Sequence, residues 1–426
     1  MIQITTDNKP RYSGVNIDYE ARAIAGEIIE KIKTKKDEAL FEYIKRLDRY
    51  DLSEGLEITD FEGGDAIGNR LKDALVYAAN RITKFSEMQL QKSWFDIDER
   101  GVVLGEKIAA VERVGIYVPG GKAVYTSTLL MNALPASVAG VKSIVVATPT
   151  IEGYIDPSLL FAAKIAGVSK IYRMGGAHAI AAMAYGTESV EPVDVITGPG
   201  NRFVAEAKRL IAGVVKIDSV AGPSEVLIYI DDEKYIDYAA IDVIAQAEHD
   251  AMAVASIVTI DRKLAEKLKQ KITEKVGTVK RAEIVKKALE KSKIYLCKDV
   301  SAAIKLIDNV APEHLELISE TAWQLAYRVR NAGAIFVGKY SPAAIGDYVA
   351  GPNHTLPTGA SSRFSSPLST EIFLKRSSII SYNRDGFSED APFAIEIAKQ
   401  EGLFNHADSI KERLENRVSN ANKELT

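Results

Sequence analysis

A chain of 426 residues, 46% hydrophobic and 26% charged, is too long for one ordinary domain and has the balance of a soluble globular protein. Its net charge of −4 gives no general pull toward nucleic acid or an anionic membrane. Cys297 is the only cysteine, which excludes an intrachain disulfide and fits a reducing cytoplasm.

The first residues, Met-Ile-Gln-Ile-Thr-Thr-Asp-Asn-Lys, lack the basic and apolar blocks of a signal peptide. Residues 16–50 and 66–92 carry charges at helical spacing, and a strand-rich passage runs from Trp94 to Pro119. Strands and helices then alternate. Val114–Val118, Ser143–Thr148, Lys170–Met174 and Val193–Thr197 read as strands. Ser127–Ala139, Pro157–Ala166, Ala177–Tyr185 and Phe203–Ala212 read as the helices between and after them. The most apolar stretch, Leu129–Thr150, is broken by Asn132, Pro135, Gly140 and Lys142 and is no membrane span. A second alternation starts at Ser224 and runs through the strands Val254–Ile260, Ile294–Cys297 and Ala334–Val337. Its expected helices are Tyr235–His249, Lys263–Lys275, Ser301–Asn309 and Thr321–Asn331. The lysine-rich stretch 262–293 reads as a solvated helical face. From Ser381 the chain is polar, then helical at Pro392–Gln400 and Asp408–Asn416.

This rhythm predicts an α/β fold with two doubly wound, incomplete Rossmann-like domains and helical N- and C-terminal extensions. The expected division is an N-terminal extension at 1–25, a discontinuous α/β domain at 26–116 and 226–378, an inserted α/β domain at 117–225, and a C-terminal tail at 379–426. The N-terminal helices are expected to pack on the second alternating run. Ligands in such sheets gather at the strands' C-terminal edge.

Four of the five histidines sit in short polar motifs. Gln246 and His249 lie three apart on a predicted helix, which suits two ligands of one metal ion; alone, the pair is weak evidence and reads more readily as surface or helix-end polar groups. Glu313-His314 follows Pro312 in an expected turn and offers two proton-transfer groups. Asp347 follows a strand as a hard oxygen ligand, and His354 sits in the shaped loop Gly351-Pro-Asn-His-Thr-Leu-Pro-Thr-Gly359. Glu401 and His406 flank Gly402. Pro119-Gly-Gly121, Gly175-Gly176 and Gly198-Pro-Gly200-Asn201 are turns that let backbone N–H groups approach an anion. None matches Gly-x-Gly-x-x-Gly, so a conventional dinucleotide fingerprint is absent.

Taken in order, Arg113-Val-Gly-Ile-Tyr-Val-Pro-Gly-Gly, Gly198-Pro-Gly-Asn, Ala221-Gly-Pro-Ser-Glu-Val, Gln246-Ala-Glu-His, Ala311-Pro-Glu-His-Leu-Glu, Gly346-Asp-Tyr, the His354 loop and Glu401-Gly-Leu-x-x-His resemble the histidinol dehydrogenase family. The resemblance runs through almost the whole chain. It implies a zinc-dependent, NAD-linked oxidation of L-histidinol to L-histidine through bound L-histidinaldehyde, at the end of histidine biosynthesis. By motif, one zinc per subunit would be held by Gln246, His249, Asp347 and His406, with Glu313 and His314 as the acid–base pair. Ser224, His354 and Glu401, together with His314 and the zinc ligands, would surround the substrate. Tyr117, His178 and Asn201 would lie on the NAD side. The family's homodimer would place Glu401 and His406 in the partner's site.

His178 departs from the pattern, because the family usually has glutamine there. The change reads either as a simple local substitution or as the source of an NAD affinity that varies with pH near neutrality, and an unchanged profile in His178→Gln would contradict the second. Three rivals remain: a related zinc-dependent, NAD-linked dehydrogenase acting on another polar alcohol, a metal-dependent hydrolase using Glu313 as base, and a non-catalytic metal-binding protein.

Overall fold

β-Branched runs bounded by glycine turns set the frame. The computed structural model describes residues 2–7, 17–120, 125–150, 152–220 and 222–415. Gly121 and Ala221, from the motifs above, and Asn416, the expected end of the last helix, lie outside them.

In chain order come β1 (Gln3–Thr5), α1 (Tyr19–Tyr43), β2 (Glu57–Ile58), α2 (Asn69–Gln89), β3 (Trp94–Ile97) and β4 (Val103–Ala110). The first alternation holds β5 (Arg113–Tyr117), α3 (Thr126–Ala139), β6 (Ser143–Thr148), α4 (Pro157–Ile165), β7 (Lys170–Arg173), α5 (Gly176–Tyr185), β8 (Val195–Thr197), α6 (Arg202–Ile211) and β9 (Lys216–Ile217). The second holds β10 (Glu225–Ile230), α7 (Ile236–Ala247), β11 (Val254–Thr259), α8 (Arg262–Val276), α9 (Ala282–Lys291), β12 (Lys293–Leu296), α10 (Val300–Val310), β13 (His314–Ile318), α11 (Ala322–Ala326), β14 (Ala334–Val337) and α12 (Ala343–Tyr348). β15 (Leu374–Ser381), α13 (Arg384–Gln400) and α14 (Phe404–Glu415) complete the chain.

The fold is α/β with two doubly wound sheets. One has strand order β2-β7-β6-β5-β8-β9, parallel except for β2, which pairs antiparallel with β7. The other has order β1-β12-β11-β10-β13-β14 and is parallel throughout. The N-terminal segment is therefore not only an extension, because β1 forms an edge of the second sheet. The strand order reverses between β5 and β8 in one sheet and between β10 and β13 in the other. Such reversals open crevices at a sheet's end.

The N-terminal helices pack elsewhere than expected. α1 lies on α5 and α6 of the first alternation, and α2 lies on α3. The reason is complementary shape. Ala25, Ile28, Ile29 and Ile32 form one stripe of α1, and alanine-rich α5 lets it approach closely. The helix expected to be continuous over 16–50 breaks at Lys36, whose φ is 50°. Lys36 Nζ donates to the carbonyls of Tyr185 and Gly186, at 3.3 and 2.9 Å, which ties the break to the end of α5. On the second sheet, α7, α8 and α9 cover one face and α10 and α11 the other. The lysine-rich α8 buries Leu264, Ala265, Leu268, Ile272 and Val276 on one side.

Two expectations near the candidate site change. Glu313-His314 is not an isolated turn, since His314 opens β13, a buried interior strand. The expected helix 321–331 shrinks to α11, because Asp308 Oδ1 accepts from the N–H groups of Arg330 and Asn331 and turns the chain away.

Residues up to Leu90 with Ala110–Phe373 form the larger unit, and Gln91–Ala109 with the chain from Leu374 form the smaller. In the smaller unit β15, β4 and β3 make a sheet, and α13 packs on α14. β15 had no sequence expectation. α13 starts at Arg384 rather than Pro392, because Asn383 Oδ1 caps the N–H of Gly386 and the helix carries Pro392 inside it. No helix among the described residues is long and apolar enough to cross a membrane.

Candidate active site

Glu313 and His314 are both buried, each 6% exposed. The start of β10 organises them. The Glu225 N–H donates to Glu313 Oε2 at 2.7 Å, and His314 Nδ1 lies 3.0 Å from the Glu225 carbonyl. A carbonyl only accepts, so Nδ1 carries the proton and Nε2 holds the lone pair of the neutral ring. Phe336 stacks on the imidazole at 5.9 Å. Burial pulls His314 down, but Glu313, Asp347 and the Glu225 carbonyl together lift it to about 9. Burial and the neighbouring Glu313 push the Glu225 carboxyl up to about 7.

His314, Asp347 and His354 line one cavity of about 630 Å³, walled largely by apolar groups such as Phe85, Phe336, Ile345, Leu356 and Leu368. Asp347 Oδ1 is 3.9 Å from His314 Nε2. His354 Nδ1 donates to the Asp347 carbonyl at 3.0 Å, and Thr128 Oγ1 stands 3.5 Å from its Nε2. Burial holds the His354 imidazole below its ordinary range, so it stays neutral at neutral pH. α12, which carries Asp347, packs on α7, which ends at Gln246 and Ala247. Gln246 is buried, and its Nε2 has no hydrogen-bond partner. His249 is exposed just past the helix end, and Ser224 is half-buried just before β10. Glu313, His314 and Ser224 therefore sit at the N-terminal ends of β13 and β10, the opposite edge to the one expected for ligands of this sheet.

The first sheet keeps the expected edge. Tyr117 ends β5, and the Gly198 turn follows β8, beside the strand-order reversal. The Gly198 N–H donates to Asp218 Oδ2 at 2.8 Å, and Lys208 Nζ donates to the Gly198 carbonyl at 2.9 Å while pairing with Asp218. Gly198 has φ +105°, and a Cβ there would overlap the Tyr117 carbonyl. Gly198→Ala is expected to lower stability by about 1–3 kcal/mol or more, read from the thermal midpoint; an unshifted midpoint would contradict this backbone. Asn201 Oδ1 caps α6 by accepting from the N–H groups of Phe203 and Val204. Tyr117 is buried, its hydroxyl accepts the Gly176 N–H at 3.1 Å, and burial pushes it up to about 12.

His178 is 1% exposed and stacks on Tyr43. Its Nε2 is 2.8 Å from Asp48 Oδ2, which also accepts the Gly175 N–H at 3.0 Å. This latch ties the end of the N-terminal helical segment to the Gly175-Gly176 turn. Asp48→Ala leaves a buried N–H and an imidazole unpaired and is expected to cost about 1–3 kcal/mol, read as a lower urea midpoint at unchanged slope. An unchanged midpoint would contradict the latch.

Glu401 and His406 lie on the smaller unit, both exposed, at the end of α13 and in α14. Among the described residues, no three or more His, Cys, Asp or Glu side chains gather into a metal-holding group. Sequence reasoning missed Asp48, Lys208, Asp218 and Glu225. Glu225 stood inside a quoted motif, whereas Asp48 meets His178 across 130 residues and gave no local signal.

The profile of the histidinol dehydrogenase family matches residues 13–414. The chain belongs to the histidinol dehydrogenase family. As such it is an oxidoreductase. The histidinol dehydrogenase of Carboxydothermus hydrogenoformans is 45% identical over 416 residues, covering 96% of this chain and 97% of that protein. That of Wolinella succinogenes is 44% identical over 409 residues, covering 94% of each. The crystal structure of histidinol dehydrogenase from Elizabethkingia anophelis superposes with a TM-score of 0.91 at 31% identity, covering 98% of both chains. An acetylating aldehyde dehydrogenase from Geobacillus thermoglucosidasius shares the fold alone, with a TM-score of 0.51 at 15% identity, over 87% of this chain and 98% of that one.

Proposed function

We propose that the enzyme oxidises L-histidinol to L-histidine in two NAD-linked steps through bound L-histidinaldehyde, with one zinc ion per subunit. The observation that carries this reading is the buried Glu313–His314 pair, whose His314 lines a cavity that also presents Asp347 and His354, in a chain of this family. The donor set fits zinc. Gln246 brings a buried side-chain amide whose oxygen can ligate, Asp347 is a partly exposed carboxylate, and His249 is an exposed imidazole just past the helix end. His406 of a second subunit completes the set in this reading, and Glu401 comes with it to bind the substrate. The family reading thus requires a homodimer with shared sites.

When bound, zinc orients and polarises the substrate, and NAD accepts hydride. His314 Nε2 takes the alcohol proton as hydride leaves carbon. With Asp347 engaged as a ligand, one carboxylate that raises His314 is compensated, which brings the imidazole toward the range where it accepts a proton. Glu313 activates the water that adds to the aldehyde. Ser224 and His354 hold the substrate, and the apolar walls keep the aldehyde from bulk solvent. We assign residues 117–225 to the cofactor, with Tyr117, Asn201 and the glycine turns at the β5/β8 reversal. His178 acts there through the turn it anchors rather than by contact from its buried ring. Buried Cys297, the only cysteine, fits a reducing cytoplasm, where we place the enzyme.

The test is NADH formation by the zinc-loaded enzyme with histidinol, lost on chelation and restored by zinc. Turnover of a different polar alcohol with none of histidinol would favour a related dehydrogenase instead.

A further inference from the structure

Two residues beyond His314 along β13, Glu316 projects from the same face of the sheet and is 1% exposed. Its Oε1 accepts the N–H of Ala343, the first residue of α12, at 2.6 Å. Its Oε2 is buried and meets no donor among the described groups. The carboxyl of Asp242, on α7, lies within hydrogen-bonding reach. With Glu316 buried and Asp242 half-buried against it, the two carboxylates do not both ionise readily, so the pair favours retaining a proton. A proton shared between them gives Oε2 the donor it lacks, in a charge-assisted O–H···O⁻ bond. Neither acid is among the residues that line the cavity.

Their placement gives them a task. Asp242 precedes Gln246 by four residues on α7 and shares its helix face. Glu316 follows His314 on β13, and its bond to Ala343 fixes the start of the helix that carries Asp347. We infer that Asp242 and Glu316 are positioning residues, a proton-linked acid pair that holds α7, β13 and α12 in one register so that Gln246, His314 and Asp347 serve one site. The inference rests on the functional reading above, in which those three residues act on one zinc and one substrate.

The experiment compares Glu316→Gln, Glu316→Ala, Asp242→Asn and Asp242→Ala in the full chain. It reads zinc affinity by chelator competition, the thermal midpoint of the metal-free protein, and histidinol turnover. An amide keeps a donor where the shared proton sits, so the Gln and Asn variants are expected to hold zinc nearly as tightly as the parent. The two Ala variants are expected to lose about 10–100-fold in zinc affinity, the scale of an outer-shell ligand partner. Parent-like zinc affinity in Glu316→Ala would overturn the inference, as would an equal loss in Glu316→Gln. Should the Ala variants not fold, the amide variants decide, since a positioning bond predicts that they fold and hold zinc and failure of either contradicts it. A parent chain that neither binds zinc nor reduces NAD with histidinol overturns the functional reading, and this inference with it.

Discussion

Replacing His314 with alanine is expected to slow histidinol oxidation by about 10²–10⁴-fold, the usual worth of a positioned acid–base group. The geometry gives the reason. The Glu225 carbonyl occupies Nδ1, Phe336 fixes the ring plane, and Nε2 is left facing the cavity beside Asp347. The other histidine among the described residues lining the cavity, His354, spends Nδ1 on the Asp347 carbonyl and has Thr128 at Nε2. Glu313→Gln separates the two halves of the reaction. The amide cannot activate water, so the first NADH should form and the second should stall with aldehyde bound. A Glu313→Gln variant that releases histidine at the parent rate would remove Glu313 from the water-activating role.

Asp347→Ala is expected to strip the enzyme of zinc and of activity together. Asp347 is the one anionic ligand in the proposed set, so its loss should exceed the 10–100-fold that an outer-shell change costs in metal affinity. His406→Ala should resemble it, although His406 lies on the smaller unit. The shared-site reading adds a sharper expectation. Mixing His406→Ala with His314→Ala subunits gives heterodimers in which one of the two sites keeps both residues. Activity should return on mixing and subunit exchange. If each chain builds its own site, both sites of the heterodimer are defective and mixing restores nothing.

Sequence pattern carried far where the chain obeys its own periodicity. Residues 226–230 are an unbroken apolar run, Val254–Thr259 is polar only at Ser256 and Thr259, and both lie in interior strands. It failed at β13 for a physical reason. His314-Leu-Glu-Leu-Ile places a histidine and a glutamate at buried strand positions, and such residues read as loop unless their partners are known. Those partners, Asp242, Glu225 and Ala343, are distant in sequence. The proposed ligands stood in legible motifs; β13 and α12 bring His314 and Asp347 to one cavity, and α12 packs on α7, which carries Gln246. The edge they occupy was not legible. The Tyr117 and Gly198 turns lie at the edge the rule for doubly wound sheets predicts, whereas the proposed acid–base pair sits at the N-terminal ends of its strands. The packing of α1 was lost because an apolar stripe says that a helix is covered but not by which alanine-rich surface.

The most direct measurement is the stoichiometry of a complete turnover. With zinc-loaded enzyme, limiting L-histidinol and excess NAD, two NADH per L-histidine, with no aldehyde free in solution, is the predicted result. One NADH per histidinol with free aldehyde released, or no NADH at all, would contradict the account.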